Sequence, residues 1–295
     1  MHAALTMTVS ILKLRIGSFV ALAALVGIVT AGGGMDVGRA AAFTLAVLGA
    51  SGAAGAFNQY FERDTDRLMA RTHARPFASG VLKEGAIWPV SFAALLGVSL
   101  LLGWATGGTL AATLVFAGAA TYGLVYTLVL KKRTDWNVVI GGAAGSFALL
   151  AGAAAAAPAE GPVLGPVPLL LAAVLFLWTP PHFWALAAVR SEDYRRAGIP
   201  MLTVTRPPEV WAPAIFYHVV ALVVLSLTPL FFGLGPVYGV FAIVGGVLFA
   251  RAAWRLKRHP NEHANAIATF RSSLLQFSLL SLGVFLDRGT MAWLG

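Results

Sequence analysis

Nine long apolar stretches divide this chain, and their length constrains its fold more than any other feature of the sequence. They cover residues 16–33, 38–57, 87–107, 110–130, 136–157, 167–189, 211–233, 236–254 and 272–294. Each is close to the roughly 20 residues that a helix needs to cross a bilayer. Because backbone polar groups in lipid must be satisfied within their own segment, we expect every stretch to be a helix. The predicted fold is an all-α integral membrane protein, with a single membrane domain over residues 1–295.

The composition supports this prediction. The chain is 58% hydrophobic and only 11% charged, whereas soluble domains carry about 25% charged residues. Little more than Gly107 and Gly108 separates the third and fourth stretches, which predicts a tight hairpin there. Residues 1–12 are expected to form a short interfacial or disordered tail. The chain has no cysteine, which excludes disulfides, thiolate metal sites and cysteine nucleophiles.

The basic residues are distributed asymmetrically between the loops. If the N-terminus lies inside, all but two of the 21 lysines and arginines fall on the inner side, and only Arg39 and Arg288 lie outside. This asymmetry follows the positive-inside rule. It predicts an inner N-terminus and an outer C-terminus. We expect the membrane to be the bacterial cytoplasmic (inner) membrane. The net charge of +9 is therefore attributed to topology, and no nucleic-acid partner is expected.

A polar cluster follows the second apolar stretch. Asn58, Glu62 and Asp66 are four residues apart, so a helix would place them on one face. Three oxygen ligands stacked in this way suit a hard cation such as Mg²⁺. Four arginines surround them and suit a phosphate-bearing ligand: Arg63, Arg67, Arg71 and Arg75. The alternative is a solvated loop in which these acids and arginines pair with one another.

Further polar residues lie in and after the sixth stretch. Glu192 and Asp193 form a tandem acid pair in the loop, and Pro180 and Pro181 predict a kink in the preceding helix that frees backbone carbonyls. His182 follows this kink, and ionisable groups inside a membrane are functional by default because their burial is costly. The alternative for His182 is a packing role, bonded to a freed carbonyl.

A third polar cluster, residues 131–133, follows the fourth stretch and is basic. Tyr126 lies one turn before it. Anionic-lipid contact and topology explain these basic residues as well as ligand binding does.

These motifs resemble the UbiA superfamily of intramembrane aromatic prenyltransferases, and within it the haem O synthase branch. The residues that carry the resemblance are Asn58-Gln59-x-x-Glu62-x-x-x-Asp66, Arg71-Thr72-x-x-Arg75-Pro76, Tyr126-Thr127-x-x-Leu130-Lys131-Lys132-Arg133-Thr134, Gly141-Gly142-Ala143-Ala144-Gly145, Trp178-Thr179-Pro180-Pro181-His182-Phe183-Trp184, Asp193-Tyr194-x-x-Ala197-Gly198-Ile199-Pro200-Met201-Leu202 and Thr269-Phe270-Arg271. Two positions depart from the superfamily pattern. Gln59 stands where many members have an acid, and the tandem acids replace a spaced pair.

The resemblance implies a ring of nine helices around a central apolar cavity that opens laterally to lipid. It also implies transfer of the farnesyl group of farnesyl diphosphate to a vinyl group of haem b, giving haem O and diphosphate with the help of Mg²⁺. Haem b is then a substrate and not a cofactor. The expected partners are the two substrates, membrane lipid and a downstream haem A synthase.

The resemblance assigns roles to individual residues of this chain. The expected metal ligands are Asn58, Glu62, Asp66, Glu192 and Asp193, of which all but Glu192 are also expected to be catalytic. The expected diphosphate-binding residues are Arg63, Arg71, Arg75, Lys131, Lys132 and Arg133. The candidates for contact with haem are His182, Thr179 and Tyr126.

Three other functions compete with this interpretation. Another UbiA branch would prenylate a quinone precursor or chlorophyllide, but the run from Trp178 to Trp184 is typical of the haem branch. A cation-coupled transporter would carry acids near the middle of the bilayer, whereas these acids lie at the inner ends of the stretches. An assembly factor for a haem-copper oxidase would not need two acid clusters.

Overall fold

The computed structural model describes residues 2–294, with side-chain environments given for residues 6–290. Within this part of the chain all regular secondary structure is helical. The α-helices are α1 (His2–Ile11), α2 (Leu14–Ala31), α3 (Val37–Phe61), α4 (Arg63–Arg67), α5 (Ile87–Ala120), α6 (Asn137–Gly141), α7 (Ala143–Ala155), α8 (Pro166–Val189), α9 (Ser191–Arg196), α10 (Leu202–Thr205), α11 (Pro208–Leu227), α12 (Pro236–Arg258) and α13 (His263–Leu294). A π-helical segment (Thr121–Leu130) continues α5, and a 3₁₀ turn (Thr228–Phe232) continues α11.

Eight helices in the described residues are long and apolar enough to cross a membrane, one fewer than the nine stretches. The difference lies in one helix of 44 residues, Ile87–Leu130, which contains both the third and the fourth stretch. A straight helix of that length would be about twice as long as a bilayer crossing requires. Gly108 interrupts it with φ 81° and ψ −179°, a conformation open to glycine but strained for other residues.

The contacts at its two ends show that the 44-residue helix doubles back at Gly108. Glu84, three residues before the helix, accepts a hydrogen bond from Arg63 (2.7 Å). Lys131, directly after it, donates to Glu62 (2.5 Å). Both ends therefore meet the same point of the chain, and the segment forms two antiparallel arms. The hairpin expected at this point is present, and its two arms are helices that join directly at Gly108.

The N-terminal segment is helical and not a disordered tail. Gln59 in α3 donates from Nε2 to the carbonyl oxygen of Ser10 (2.5 Å), and Ile11 packs in an apolar cluster with Ala56 and Phe77. A carboxylate at position 59 could not donate to a carbonyl. The departure of Gln59 from the superfamily pattern thus has a structural use, because it anchors α1 on α3.

Small residues allow the membrane helices to approach closely. A Cβ on Gly27 of α2 would lie 2.0 Å from the carbonyl oxygen of Leu149, and one on Gly152 of α7 would lie 1.9 Å from that of Ala24. Close backbone packing of this kind stabilises helix pairs in lipid. Apolar side chains gain little there from contact with another helix, because lipid tails are equally apolar. The larger core packs α8, α11, α12 and α13 together around Tyr238.

The loops after α3, after the π segment and after α8 meet at one end of the bundle. Arg206, at the end of α10, donates to Asp135 in the loop after the π segment (3.1 Å). Asp193 in α9 accepts from the backbone of Ala70 in the loop after α4 (3.1 Å). The helices therefore bring three polar loops together at one end of the bundle, which is where the candidate site lies.

The loop positions give a test of orientation. We expect reporter fusions after residue 34, 108, 160 or 235 to read as external, because these turns lie opposite the basic loops. The measurement is reporter activity compared with fusions placed in residues 60–85 or 190–209. An internal signal after residue 108 would contradict the doubled-back helix.

Candidate active site

Asn58, Glu62 and Asp66 share one helical face, as their spacing predicts. The backbone continues from α3 into α4 through hydrogen bonds from the Glu62 N–H to the Asn58 carbonyl (2.9 Å) and from the Asp66 N–H to the Glu62 carbonyl (2.7 Å). All three side chains are buried. Because buried ionised groups are costly unless they are paired, a solvated loop does not describe this cluster.

Each member of this triad contacts a basic side chain from another part of the chain. Lys13 donates to Asn58 Oδ1, Lys131 to Glu62, and Arg75 to Asp66 Oδ2 (2.7 Å). Charge-assisted bonds of this kind are stronger than neutral ones. This end of the bundle therefore holds oxygen ligands and anion-binding cations side by side, which is the chemistry that a metal-bound diphosphate requires.

The two lysines of this site have opposite pKa shifts. Burial, with a contribution from Arg75, lowers the pKa of Lys13 to about 7. Burial also acts to lower the pKa of Lys131, but its contact with Glu62 outweighs burial and raises the pKa. Lys131 therefore stays charged, whereas the charge of Lys13 depends on having an anion nearby.

The structure separates the two tandem acids. Asp193 is buried, and its Oδ1 accepts from the Ala70 N–H while Oδ2 has no partner in the described residues. Glu192 is 56% exposed and pairs with Arg195 and with Arg196 (3.0 Å) on its own helix. Hydrogen bonds from these arginines lower the pKa of Glu192. We call Asn58, Glu62, Asp66 and Asp193 together the acid cluster, because Asp193 is bonded to the loop that also carries Arg75, the partner of Asp66.

The acid cluster fits a hard divalent ion, although the side chains are not gathered around one. Among the described residues no three His, Cys, Asp or Glu side chains converge in a ready metal site. The cluster offers three carboxylates and one amide, the oxygen donors that Mg²⁺ prefers. The unpartnered, buried Oδ2 of Asp193 is an uncompensated acceptor, and a cation would satisfy it.

Only two of the six residues expected to bind diphosphate contact the acid cluster, namely Arg75 and Lys131. Arg63 is turned away and forms an ion pair with Glu84 (2.7 Å). The other three are exposed, and the structure gives their side chains no hydrogen bond or ion pair within the described part of the chain; they are Arg71, Lys132 and Arg133.

Sequence reasoning missed Lys13 as a site residue. It was counted only as a topology signal, yet it stands between α1 and α2 with a φ of 49° and reaches Asn58 and the hydroxyl of Tyr122 (3.2 Å). Its distance from the acids along the chain left no local pattern to find it. Thr127, which accepts from Asn58 Nδ2 (2.9 Å), was missed for the same reason.

The π-helical segment presents two tyrosines to this site. The rings of Tyr122 and Tyr126 are stacked at 5.7 Å, and the ammonium groups of Lys13 and Lys131 each lie 5.7 Å from one ring centroid. π-Helical turns are rare and are frequently found at functional sites. Tyr126, a candidate for haem contact, thus lies at the edge of the acid cluster.

The candidates in α8 have different surroundings. His182 is buried between aromatic rings, and its Nδ1 lies 2.7 Å from the hydroxyl oxygen of Ser273 in α13. Thr179 instead bonds to the carbonyl of Leu175 (3.1 Å) in its own helix and faces Gly142. The double proline does not end the helix, since α8 continues to Val189.

His218 in α11 has a packing environment. Its Nδ1 bonds to the carbonyl of Ala214 in its own helix (2.9 Å), and its ring meets the edge of Trp184. These contacts indicate that His218 has a packing role.

Comparison with known proteins gives a family and full-length relatives. The model of the UbiA prenyltransferase family matches residues 20–275. The chain is 48% identical over 288 residues to protoheme IX farnesyltransferase 2 of Paramagnetospirillum magneticum, covering 97% of this chain and 98% of that protein. It is 39% identical over 288 residues to protoheme IX farnesyltransferase of Acidiphilium cryptum, covering 94% and 89%.

Solved structures share the fold at low sequence identity. A UbiA homologue from Aeropyrum pernix has a TM-score of 0.70 at 22% identity and covers 93% of this chain and 98% of its own. A UbiA homologue from Archaeoglobus fulgidus, bound to GPP and Mg²⁺, has a TM-score of 0.63 at 17% identity and covers 93% and 99%.

Proposed function

The chain belongs to the UbiA prenyltransferase family, and we propose that it transfers the farnesyl group of farnesyl diphosphate to a vinyl group of haem b. The observation that carries the proposal is the buried acid cluster. Three of its members contact the basic side chains of Lys13, Lys131 and Arg75. The full-length relatives named protoheme IX farnesyltransferase support haem b as the acceptor.

The proposed reaction balances with one molecule of water. The bond between C1 of farnesyl and the diphosphate oxygen breaks, and C1 bonds to the terminal vinyl carbon. Water adds to the neighbouring carbon and loses a proton, which gives haem O, diphosphate and H⁺. Diphosphate leaves readily only when its charge is neutralised, so the site has to supply positive charge at the leaving oxygen.

The acid cluster would hold Mg²⁺ through Asn58, Glu62, Asp66 and Asp193, and the bound ion would supply charge that stabilises the leaving group. Lys131 and Arg75, now paired with Glu62 and Asp66, would then turn to the diphosphate oxygens. Lys13 would bind the same anion. Tyr122 and Tyr126 line the same place and would shield the allylic cation from bulk water.

The chain is located in a membrane. The eight apolar helices make it an integral membrane protein. We place the acid cluster at the cytoplasmic side of the bacterial inner membrane, with the N-terminus inside and the C-terminus outside, because the basic loops surround it. The product would pass to haem A synthase.

The direct test uses purified protein with haem b, farnesyl diphosphate and Mg²⁺. We expect mass spectrometry to detect haem b that has gained both a farnesyl group and a hydroxyl group. Substituting a quinone precursor for haem b should give no product. Prenylation of the quinone precursor in place of haem b would contradict the proposal and favour the other UbiA branch.

His182→Ala is expected to weaken haem binding while farnesyl diphosphate binds as before. The reason is that the contacts of His182 are with Ser273 and aromatic rings, and none of them is with a cation expected to bind diphosphate. Separate affinity measurements for the two substrates check this. The matched control is His218→Ala, which removes a packing histidine and should leave both affinities within about twofold. Equal losses of both ligands in the His182 variant would assign His182 to packing.

A further inference from the structure

The imidazole of His182 is fixed in orientation by three aromatic rings. Trp178 stacks on it at 4.3 Å between centroids, Phe270 of α13 lies at 4.8 Å on a tilted plane, and Phe183 meets it edge-on at 5.1 Å. The indole N–H of Trp178 donates to the carbonyl oxygen of Ser273 (2.9 Å). The ring therefore has little freedom to turn, and α8 and α13 are held together at this level.

Counting hydrogens on Ser273 fixes which nitrogen of His182 carries the proton. A serine hydroxyl has one hydrogen, and that of Ser273 is donated to the carbonyl oxygen of Phe270 at 2.6 Å. The contact of 2.7 Å between Ser273 Oγ and His182 Nδ1 must then use a hydrogen on Nδ1. The neutral imidazole consequently carries its proton on Nδ1 and keeps a free lone pair on Nε2.

Nothing in the described residues uses this lone pair. The structure gives Nε2 no hydrogen-bond partner, although His182 is only 9% exposed and lies inside a membrane helix. Nε2 is not one of the fully buried atoms that lack a partner, so a ligand can reach this lone pair, and the arrangement that leaves it free is specific. It calls for a ligand that accepts a nitrogen lone pair.

We infer that Ser273 is a positioning residue that holds His182 Nε2 ready to bind the iron of the tetrapyrrole substrate. A neutral imidazole nitrogen is a common ligand of iron, and the bond that the other ring nitrogen donates sets its tautomer and direction. The inference rests on the proposed haem substrate and adds to it the atom that binds iron and the residue that orients it.

The experiment compares Ser273→Ala with Ser281→Ala by titrating ferric haem into each purified protein. Ser281 lies on the same helix, is also buried and also donates to a carbonyl of its own helix (Phe277, 2.9 Å), but it touches no histidine. We expect the Ser273 variant to lose about 10-fold or more in haem affinity, the range seen when a partner of a metal-bound histidine is removed. Its optical and electron paramagnetic resonance spectra should shift towards those of His182→Ala.

Several outcomes separate this inference from the proposed function. Wild-type spectra in the Ser273 variant, with altered spectra in His182→Ala, would overturn the role of Ser273 and leave the haem substrate standing. Absence of haem farnesylation by the wild type would instead overturn the proposed function. Farnesyl diphosphate affinity and the thermal midpoint should match those of Ser281→Ala. If the alanine variant does not fold, Ser273→Cys keeps the size but offers a weak acceptor, and it should show the same spectral shift.

Discussion

Replacing Asp66 by Asn, or Glu62 by Gln, is expected to reduce turnover at least about 100-fold, which corresponds to about 2.7 kcal/mol of lost transition-state stabilisation. Both changes keep the size of the side chain and remove a buried negative charge. The loss should fall mainly on kcat, because the charge acts on the leaving diphosphate. Steady-state kinetics with both substrates measures it.

Asp64→Asn is the matched control for these variants. Asp64 lies in the same short helix, is 70% exposed and pairs only with Arg67 at the surface. It should retain activity within about twofold, since an exposed ion pair contributes little. A chelator should abolish wild-type activity, and added Mg²⁺ should restore it. Calorimetric titration should show Mg²⁺ binding to the wild type and the Asp64 variant only. Full activity in the presence of the chelator would contradict a metal-assisted mechanism.

The sequence predicted the acid face because that pattern is local. Asn58, Glu62 and Asp66 lie on consecutive turns of one continuous helical backbone, so their spacing was enough to bring them together. The membrane helices were equally accessible, since hydropathy over about 20 residues determines whether a segment enters lipid. Local patterns do not report which distant side chain meets these acids, and Lys13 was therefore missed.

The structure differs from the sequence-based expectation in two further respects, the number of membrane spans and the arginines at the site. Both depend on contacts between segments, which the sequence of one segment does not encode. Eight spans are found in the described residues instead of nine because the third and fourth stretches join directly at Gly108, the residue with non-helical backbone angles, in the tight hairpin that was expected. Among the basic residues, Arg63 was expected at the diphosphate but pairs with Glu84, while Arg75 reaches Asp66. Both arginines lie in the same charged loop, so the sequence did not distinguish them. The packing of the loop determines that Arg75, and not Arg63, contacts Asp66.

The sequence also could not show which of the tandem acids, Glu192 or Asp193, faces the site. Adjacent residues on a helix point about 100° apart, so only one of the two can face the other acids. The structure turns Asp193 inward, where Oδ1 accepts from Ala70 and Oδ2 has no partner in the described residues. Glu192 faces solvent with Arg195 and Arg196. Two residues identical in charge thus have different expected roles.

Asp193→Asn is therefore expected to reduce turnover about 100-fold, whereas Glu192→Gln should stay within about twofold of the wild type. The first change removes a buried charge from the proposed metal site, and the second removes surface ion pairs that contribute little. Kinetics on the two variants, together with Mg²⁺ titration and thermal midpoints, measures the contrast. The asparagine can still accept from the Ala70 N–H, so the loop contact should persist and the midpoint should change little. Comparable losses in both variants would mean that the tandem acids act as a pair, and a loss confined to Glu192→Gln would place the wrong acid in the site.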